Sequence, residues 1–235
     1  MEKKYRNEIK YVCTEAQLRM IEQRIMPYCQ RDPHAGAEGI YHIRSVYFDD
    51  IDNRCFYENE DGVNVREKFR IRIYNGDAGH ITLECKQKRN GKNHKDSCSL
   101  TGPQCEAALN GSLTWDMIKE SMPERGQREL LNKFFLQYTN RYMRGKVIVS
   151  YERTPYIYET GNVRITFDRN ITGSTDIEKF LDPVVDGRPV MPVGYHVLEV
   201  KYDELLPDFL KNAMQLGTLK RATYSKYYIC RKFCG

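Results

Sequence analysis

The sequence of 235 residues lacks a long hydrophobic run. No uninterrupted apolar stretch approaches the roughly 18 residues that a membrane-spanning helix needs. The opening residues, MEKKYRNEIKY, also lack the apolar segment of a secretory signal. These absences predict a cytoplasmic protein with no membrane segment in this chain.

Cysteine pairs at metal-binding spacing are missing as well. The eight cysteines form no Cys-x-x-Cys pair, and the five histidines do not stand at zinc-ligand spacing beside them. We therefore expect no zinc site, and free cysteines that pack mostly as small apolar side chains in a reducing compartment.

A large excess of charge is absent too. The 37 Lys and Arg residues against 32 Asp and Glu give a formal net charge of +5. This charge is too small to indicate a nucleic-acid binder unless it is concentrated in one place. The length suits a single domain, which we expect over residues 1–235.

Alternation of polar and apolar residues is frequent, and it predicts a largely antiparallel sheet. The predicted strands are 6–12, 41–49, 65–74, 80–88, 146–158, 163–171 and 197–203. The turn sequences at 75–79 and 159–162 predict two hairpins. Helices are predicted at 14–30, 103–142 (broken near Pro123 and Gly126) and 207–216, with a long loop at 173–192. The last segment, ATYSKYYICRKF, fits strand or helix, and the fold class is α+β.

Several predicted strands have one strongly charged face. In KFRIRIY, residues 68–74, the side chains of Lys68, Arg70 and Arg72 point one way and the apolar ones the other. The same kind of face recurs on the other strands, where it contains Arg6, Glu8, Lys10, Glu84, Lys86, Lys88, Arg164, Asp168, Glu199, Lys201 and Asp203.

On one strand, such a face is most simply the solvated side of a sheet. Repetition weakens this interpretation, because like charges on neighbouring strands repel each other unless an anion lies between them. A sheet curled with its charged faces inward would form an inverted barrel of about eight strands, with a basic interior and helices packed outside. A phosphate chain is slender and charged enough to occupy it.

The carboxylates on these faces suggest different roles. Glu84 fits simple neutralisation of its basic neighbours at least as well as a functional role. Glu8 and Glu199 each precede a lysine by two residues, in EIK and EVK. Because Mg²⁺ and Mn²⁺ prefer hard oxygen ligands beside phosphate-binding cations, these two glutamates are candidates for holding a metal-phosphate complex.

Eight segments in order resemble the triphosphate tunnel metalloenzyme superfamily, which has the CYTH fold. They are RNEIKY, SVYFDD, KFRIRIY, LECKQKR, VSYERTPY, VRITFD, VLEVKYD and YSKYY. The chain is most similar to the catalytic domain of the vacuolar transporter chaperone (VTC) polyphosphate polymerases. The resemblance implies a closed tunnel of eight antiparallel strands that binds ATP with Mn²⁺ or Mg²⁺ and transfers its terminal phosphoryl group to polyphosphate.

The resemblance also implies roles for individual residues. The expected catalytic bases are Lys10, Arg70, Arg72, Lys86, Arg153 and Lys226, with Arg164 as a further phosphate ligand and Glu199 as the metal ligand. The residue pattern adds Lys88, Lys201 and Glu8 to the substrate-binding set. Arg153 and Lys226 rest on the resemblance alone, because Arg153 alternates in phase with Val147 and Val149 and Lys226 lies in the ambiguous last segment.

The chain departs from the family pattern in two ways. Arg6 stands where the wider superfamily, which opens with Glu-x-Glu-x-Lys, has its first glutamate, and this is similar to the VTC branch. The inositol-phosphate sensor domain and the membrane helices of eukaryotic VTC proteins are not expected here, so any membrane or export partner would be a separate protein.

Two other functions stay open on the sequence. The first is a triphosphatase of the same fold, with water as the acceptor. The second is a module that binds polyphosphate or nucleic acid without chemistry. We expect no nucleic acid, because Tyr47, Phe48, Phe69 and Phe167, which would have to stack on bases, lie in strand patterns typical of core residues.

Overall fold

The computed structural model describes residues 5–36, 38–120 and 125–235. The strands among these residues are β1 Asn7–Thr14, β2 Gln30–Arg31, β3 Tyr41–Asp49, β4 Val65–Tyr74, β5 Asp77–Arg89, β6 Lys92–Leu100, β7 Arg144–Tyr158, β8 Val163–Ser174, β9 Arg188–Pro189 and β10 Tyr195–Tyr202. The helices are α1 Glu15–Ile25, α2 Arg54–Glu60, α3 Gly102–Asn110, α4 Trp115–Glu120, α5 Arg125–Asn140, α6 Asp208–Met214 and α7 Lys226–Cys234. In the described part of the chain, no helix is long and apolar enough to cross a membrane.

The main sheet contains eight antiparallel strands in the order β1-β10-β8-β7-β3-β4-β5-β6, with β2 beside β7 and β9 beside β8. Among the described residues its two edges meet at one bridge, in which Arg6 and Asn93 exchange backbone hydrogen bonds of 2.8 and 2.9 Å. The predicted α+β fold with an eight-stranded antiparallel sheet is confirmed. The predicted closed barrel is not formed, because in the described part of the chain the end strands β1 and β6 meet only at this isolated bridge and share no ladder.

The strand β6 is one element that the sequence pattern missed. Beyond Arg89 we expected only a solvated hairpin tip. Instead, Asn90 and Gly91 form a tight turn with φ values of 50° and 80°, and the chain returns as β6, paired with β5 along its length. An Asn-Gly pair favours this turn because both residues tolerate positive φ. Only Cys98 and Leu100 of β6 are buried apolar residues, so the strand has little hydrophobic alternation.

The helices begin where local chemistry supplies their caps. Thr14 and Gln17 form the predicted capping box of α1. The unpredicted helix α2 starts against Asp49, whose carboxylate accepts hydrogen bonds from the backbone N–H groups of Cys55 and Phe56. The predicted division of the segment 103–142 near Gly126 agrees with the structure, in which α4 ends at Glu120 and α5 begins at Arg125, one residue before Gly126. Pro123 lies outside the described residues.

Helices cover the outer face of the sheet, as predicted, in two places. One apolar cluster joins α3, α4 and α5 to β4, β5 and β6, and another joins α1 and α6 to β1, β8 and β10. The C-terminal helix differs, because α7 packs on β7 through Val147 and Val149, which share their strand face with Tyr151 and Arg153. This is the inner face. Gly173 of β8 allows the close approach, since a Cβ there would lie 3.0 Å from Cβ of Cys230.

Candidate functional site

Two arginines of β4 form the centre of the inner face. Because Arg70 and Arg72 are two residues apart on a strand, their side chains project to the same side. Arg70 donates hydrogen bonds to Tyr47 Oη at 2.8 Å and to Glu84 Oε2 at 2.6 Å. Arg72 donates to Ser45 Oγ at 3.0 Å. Both guanidinium groups are therefore held in place by side chains of the sheet itself.

Glu84 is the buried counter-ion of this pair. Its Oε1 atom also accepts a hydrogen bond from Lys95 of β6 at 2.7 Å. Burial raises the pKa of Glu84, but the facing Arg70 and Arg72 outweigh burial and hold that pKa well below its ordinary value. The contacts agree with the neutralising role that the sequence left open for Glu84.

A second cluster joins β1 and β10 to β5. In the β1–β10 ladder, Lys10 lies opposite Glu199 and Glu8 lies opposite Lys201. Lys10 Nζ is 2.9 Å from Glu8 Oε1 and 3.4 Å from Glu199 Oε2. Lys86 of β5 donates to both carboxylate oxygens of Glu8, each at 2.8 Å. One ladder and one cross-sheet contact thus bring together five residues that the sequence selected.

The charges of this cluster stabilise one another. Burial raises the pKa of Glu8, but Lys10 and Lys86 outweigh burial and lower it well below normal. Burial likewise raises the pKa of Glu199, and Lys201 and Lys10 reverse the effect. Both glutamates are therefore carboxylates at neutral pH, with oxygen atoms that can bind a cation.

Glu8 and Glu199 are also the carboxylates that fit a divalent metal. They share Lys10 and Lys201 as neighbours, so their carboxylates lie close together. Glu199 Oε1 is buried and has no hydrogen bond of good geometry, although Lys201 Nζ lies 2.7 Å away. No group of three or more metal-ligating side chains occurs among the described residues. The donor set suits Mg²⁺ or Mn²⁺, which are commonly held by one or two carboxylates together with water and phosphate oxygens.

A third cluster contains Arg153 and Lys226, the two bases whose roles were expected only from the family resemblance. Arg153 donates two hydrogen bonds to Asp168, from Nε at 2.6 Å and from Nη2 at 2.7 Å. Lys226, the first residue of α7, donates to the same carboxylate at 2.5 Å. Burial raises the pKa of Asp168, but Arg153 and Lys226 outweigh it and lower the pKa. The structure thus brings Arg153 and Lys226 to the inner face beside Glu199, whose Oε1 lies 3.8 Å from Arg153 Nη2.

Tyr151 is an inner-face residue that the sequence pattern did not single out. Its hydroxyl accepts a hydrogen bond from Arg72 at 3.2 Å. Lys226 Nζ lies 4.6 Å and Arg153 Cζ 5.3 Å from the centre of its ring, so the ring also contributes cation–π contacts. The sequence feature that could have identified Tyr151 is its position two residues before Arg153, on the same strand face and within the segment VSYERTPY.

Three other bases discussed in the sequence analysis lie toward the rim of the tunnel. Arg164 pairs with Asp32 at 2.8 Å, and about a third of its side chain (37%) is exposed. Lys88 is half-buried, and burial, then Arg66, lowers its pKa. Arg6 pairs with Asp203 at 2.8 Å and donates to the carbonyl of Asn162, so it does not take the place of the missing glutamate beside Glu199.

Basic side chains outnumber carboxylates on the inner face. The bases are Lys10, Lys68, Arg70, Arg72, Lys86, Arg153, Lys201 and Lys226, and the carboxylates are Glu8, Glu84, Asp168 and Glu199. Such an interior favours an anion of several charges. Together with the eight-stranded antiparallel sheet, it defines a triphosphate tunnel protein.

Comparison with protein families agrees with this class and identifies one family within it. The family model of the VTC domain matches residues 5–234. The chain therefore belongs to the VTC domain family. Among curated proteins, no sequence match was found.

Solved structures are similar in fold at low sequence identity. A candidate adenylate cyclase from Bacillus halodurans is 14% identical with a TM-score of 0.50, over 92% of this chain and 89% of that one. A candidate adenylyl cyclase from Hippeastrum, described as having a dominant triphosphatase activity, is 12% identical with a TM-score of 0.53, over 98% of this chain and 97% of that one. These likenesses concern the fold, and they agree with the CYTH-like tunnel that the resemblance implied.

Proposed function

We propose that this protein is a cytoplasmic, single-domain, ATP-dependent polyphosphate polymerase. It would transfer the terminal phosphoryl group of ATP to a growing chain of inorganic polyphosphate inside the basic tunnel. The observation that carries the proposal is the match of residues 5–234 to the VTC domain. The three charged clusters on the inner face support it, because they supply the cationic groups that a chain of phosphates needs.

Phosphoryl transfer requires positioning and charge stabilisation more than covalent chemistry by the protein. In the proposed reaction, a terminal oxygen of the acceptor chain attacks the γ-phosphorus of ATP. The bond between that phosphorus and the β–γ bridging oxygen breaks, and ADP leaves. No protein nucleophile is needed.

The chain's own residues would divide the work by position. Arg70, Arg72 and Lys86 would hold the phosphates of ATP, since the guanidinium group binds phosphate oxygens in pairs and lysine adds point charge. Lys10, Arg153 and Lys226 would stabilise the charge on the transferring group. Arg164 and Lys88 toward the rim, and Lys201 and Glu8 beside Glu199, would complete the substrate-binding surface.

The resident metal would be Mg²⁺ or Mn²⁺. Glu199 would hold it through Oε1, the buried atom that has no hydrogen bond of good geometry. When bound, such a metal would supply positive charge that neutralises the phosphates. Metal and phosphates together would replace part of the contact between the glutamates and lysines of the second cluster.

A triphosphatase is the second candidate. It is favoured by the structural likeness to the Hippeastrum protein, which is described as having a dominant triphosphatase activity. The same bases would hold the substrate, and water would replace the phosphate acceptor. Arg6 in place of the first glutamate of Glu-x-Glu-x-Lys leaves one fewer carboxylate for this chemistry, which favours the polymerase.

The test is to incubate the purified protein with ATP and Mn²⁺ or Mg²⁺, and to resolve ADP, free phosphate and phosphate polymer on one gel. Polymer formed together with ADP supports the polymerase. Free phosphate without polymer would indicate a triphosphatase instead. Tight binding of ATP or polyphosphate without turnover would indicate a binding module. The variant Arg70→Ala is the control for activity from a contaminant.

A further inference from the structure

Asp49, at the end of β3, is a buried carboxylate that lies outside the three charged clusters. The residue has no exposed surface (0%). In the part of the chain that the structure describes, no basic side chain lies within ion-pair distance of it, whereas its neighbour Asp50 lies 3.6 Å from Arg54 Nε. A buried charge without a cationic partner is costly unless hydrogen bonds satisfy it. The donors around Asp49 therefore show why the carboxylate is there.

Hydrogen bonds from two parts of the chain satisfy this carboxylate. It accepts from backbone N–H groups nearby in sequence, those of Asp50 at 2.9 Å, Cys55 at 2.9 Å and Phe56 at 3.1 Å. These bonds form the turn after β3 and the start of α2. It also accepts from the hydroxyl of Tyr227 at 2.5 Å, across 178 residues of sequence. This last bond connects Asp49 to the C-terminal helix.

The hydroxyl of Tyr227 is a constant donor in this contact. Tyr227 is the second residue of α7 and is almost fully buried (1% exposed). Burial first, and then the charge of Asp49, raise the pKa of Tyr227 above its ordinary value, so the hydroxyl keeps its proton. A hydrogen bond to a carboxylate is stronger than one between neutral groups. The contact therefore holds the start of α7 against the end of β3.

The first turn of α7 is attached to three strands of the sheet. The consecutive residues Ser225, Lys226 and Tyr227 contact, in that order, Lys68 of β4, Asp168 of β8 and Asp49 of β3. Ser225 is also the N-cap residue of the helix. Because a helical turn is a compact unit with a rise of about 1.5 Å per residue, release of one contact allows the other two to shift.

Lys226 is the residue of this turn whose position matters for the proposed reaction. Its ammonium group shares Asp168 with Arg153 and lies 4.6 Å from the ring centre of Tyr151. Lysine presents a point charge on a flexible stem of four carbons, so the backbone of α7 determines where that charge can lie. A displacement of about 1 Å at a reacting centre can cost about 10² in rate.

We propose that Asp49 is a positioning residue, which acts through the hydroxyl of Tyr227 to hold the first turn of α7 and thereby sets where Lys226 meets the transferring phosphoryl group. The inference rests on the proposed function, in which Lys226 stabilises the charge on that group. Asp49 itself takes no part in bond breaking, because its carboxylate is fully buried and bonded to protein groups.

The test uses Tyr227→Phe, which removes the hydroxyl and keeps the ring. In the wild-type background this change should lower kcat for ADP release about tenfold. In the Lys226→Met background it should alter kcat less than about twofold, because Asp49 and Tyr227 act through Lys226. Tyr228→Phe is the matched control: its hydroxyl donates to Glu60 of α2 at 2.9 Å in an exposed contact, and its loss should leave kcat unchanged.

A second measurement does not require turnover. The affinity for tripolyphosphate, measured by calorimetry without nucleotide, should fall about threefold or more with Tyr227→Phe in the wild type and stay unchanged in Lys226→Met. If Tyr227→Phe fails to fold, Asp49→Asn tests the same contact, because it removes the charge that accepts from the hydroxyl. The same dependence on Lys226 is expected for this variant.

Equal losses in both backgrounds, or no loss in either, would overturn the positioning role, because a hydroxyl that only stabilises the fold acts independently of Lys226. If the wild type binds tripolyphosphate but forms no polymer from ATP, the polymerase proposal fails, and the affinity comparison still decides the role of Asp49. If it forms polymer and the two substitutions act independently, only the positioning role is rejected.

Discussion

Glu84 faces Arg70 across the β4–β5 hairpin, with Oε2 at 2.6 Å from Nε and 2.5 Å from Nη2. With Tyr47 bonded to Nη1, each nitrogen of the Arg70 guanidinium group has a partner in the protein. The group is therefore oriented before substrate arrives, which is how a preorganised site lowers the cost of charge stabilisation. A phosphate at this position would meet an arginine that needs no rearrangement.

Arg70→Ala should lower turnover of ATP by about 10²–10³, the usual cost of removing one preorganised donor. The measurement is the rate of ADP release at saturating ATP, with folding checked by circular dichroism. Arg19→Ala is the control, because Arg19 is largely exposed on α1, where it pairs with Glu15 far from the inner face. An Arg70→Ala protein that is folded and fully active would remove Arg70 from the site.

Glu199→Gln should raise the Mn²⁺ concentration needed for half-maximal activity by at least about tenfold, because the amide is a neutral and weaker ligand. Binding of Mn²⁺ should be followed separately by electron paramagnetic resonance in the presence of tripolyphosphate. Glu84→Gln removes a buried carboxylate from the arginine cluster and should leave the metal requirement unchanged. If both variants alter it equally, Glu199 has no special part in holding the metal.

Period-two alternation predicted which side chains share the inner face for most of the site. Arg70, Arg72, Lys86, Lys10 and Glu199 were selected from their strand faces alone, and the structure brings them together. The reason is that a strand with one apolar and one charged face leaves no choice of orientation once its apolar face packs on outer helices. The functional roles of these residues stay predictions.

The alternation of polar and apolar residues could not predict that Arg153 and Lys226 lie on the inner face. Arg153 is in phase with Val147 and Val149, which suggested the apolar outer face. In the structure these valines also face inward, because α7 fills that end of the interior with Tyr227 and Cys230. A helix packed against the inner face makes that face apolar at one end. The sequence of β7 alone does not show that a helix covers this face.

Stability should fall at acid pH because of the inner-face carboxylates. In the folded protein, the basic neighbours of Glu84, Asp168 and Glu199 outweigh burial and hold the pKa values of these groups below their ordinary values. A carboxylate with a lowered pKa stabilises the folded state above its unfolded pKa of about 4, and this contribution is lost as the pH falls through the folded pKa.

Urea unfolding between neutral pH and pH 3 measures this loss. The wild type should lose free energy of unfolding steadily below about pH 4. Glu84→Gln should be less stable at neutral pH, because its arginine partners lose their counter-ion, and should show a shallower decline in acid. Parallel declines for the two proteins would show that Glu84 does not contribute to the pH dependence.

Removing the charge of Lys68 should stabilise the protein, whereas removing a base that pairs with a carboxylate should destabilise it. Its pKa is lowered from 10.5 to about 7 by burial and by Arg66, so the charged form is disfavoured in the folded protein. This penalty is complete below pH 7, decreases between pH 7 and 10.5, and is absent above that range. Lys68→Met should therefore raise the Tm at pH 6, by about 2–4 °C for each kcal/mol of penalty removed in a chain of this size.

Lys226→Met is the matched comparison, because Lys226 is a buried base on the same inner face whose ammonium group pairs with Asp168. Its loss leaves that carboxylate with one cation fewer and should lower the Tm. Thermal unfolding of both variants at pH 6 and pH 10 gives the test. A lower Tm for Lys68→Met at pH 6 would mean that the hydrogen bonds from Lys68 Nζ to Asn59 Oδ1 and Ser225 Oγ stabilise the fold by more than the charge penalty costs.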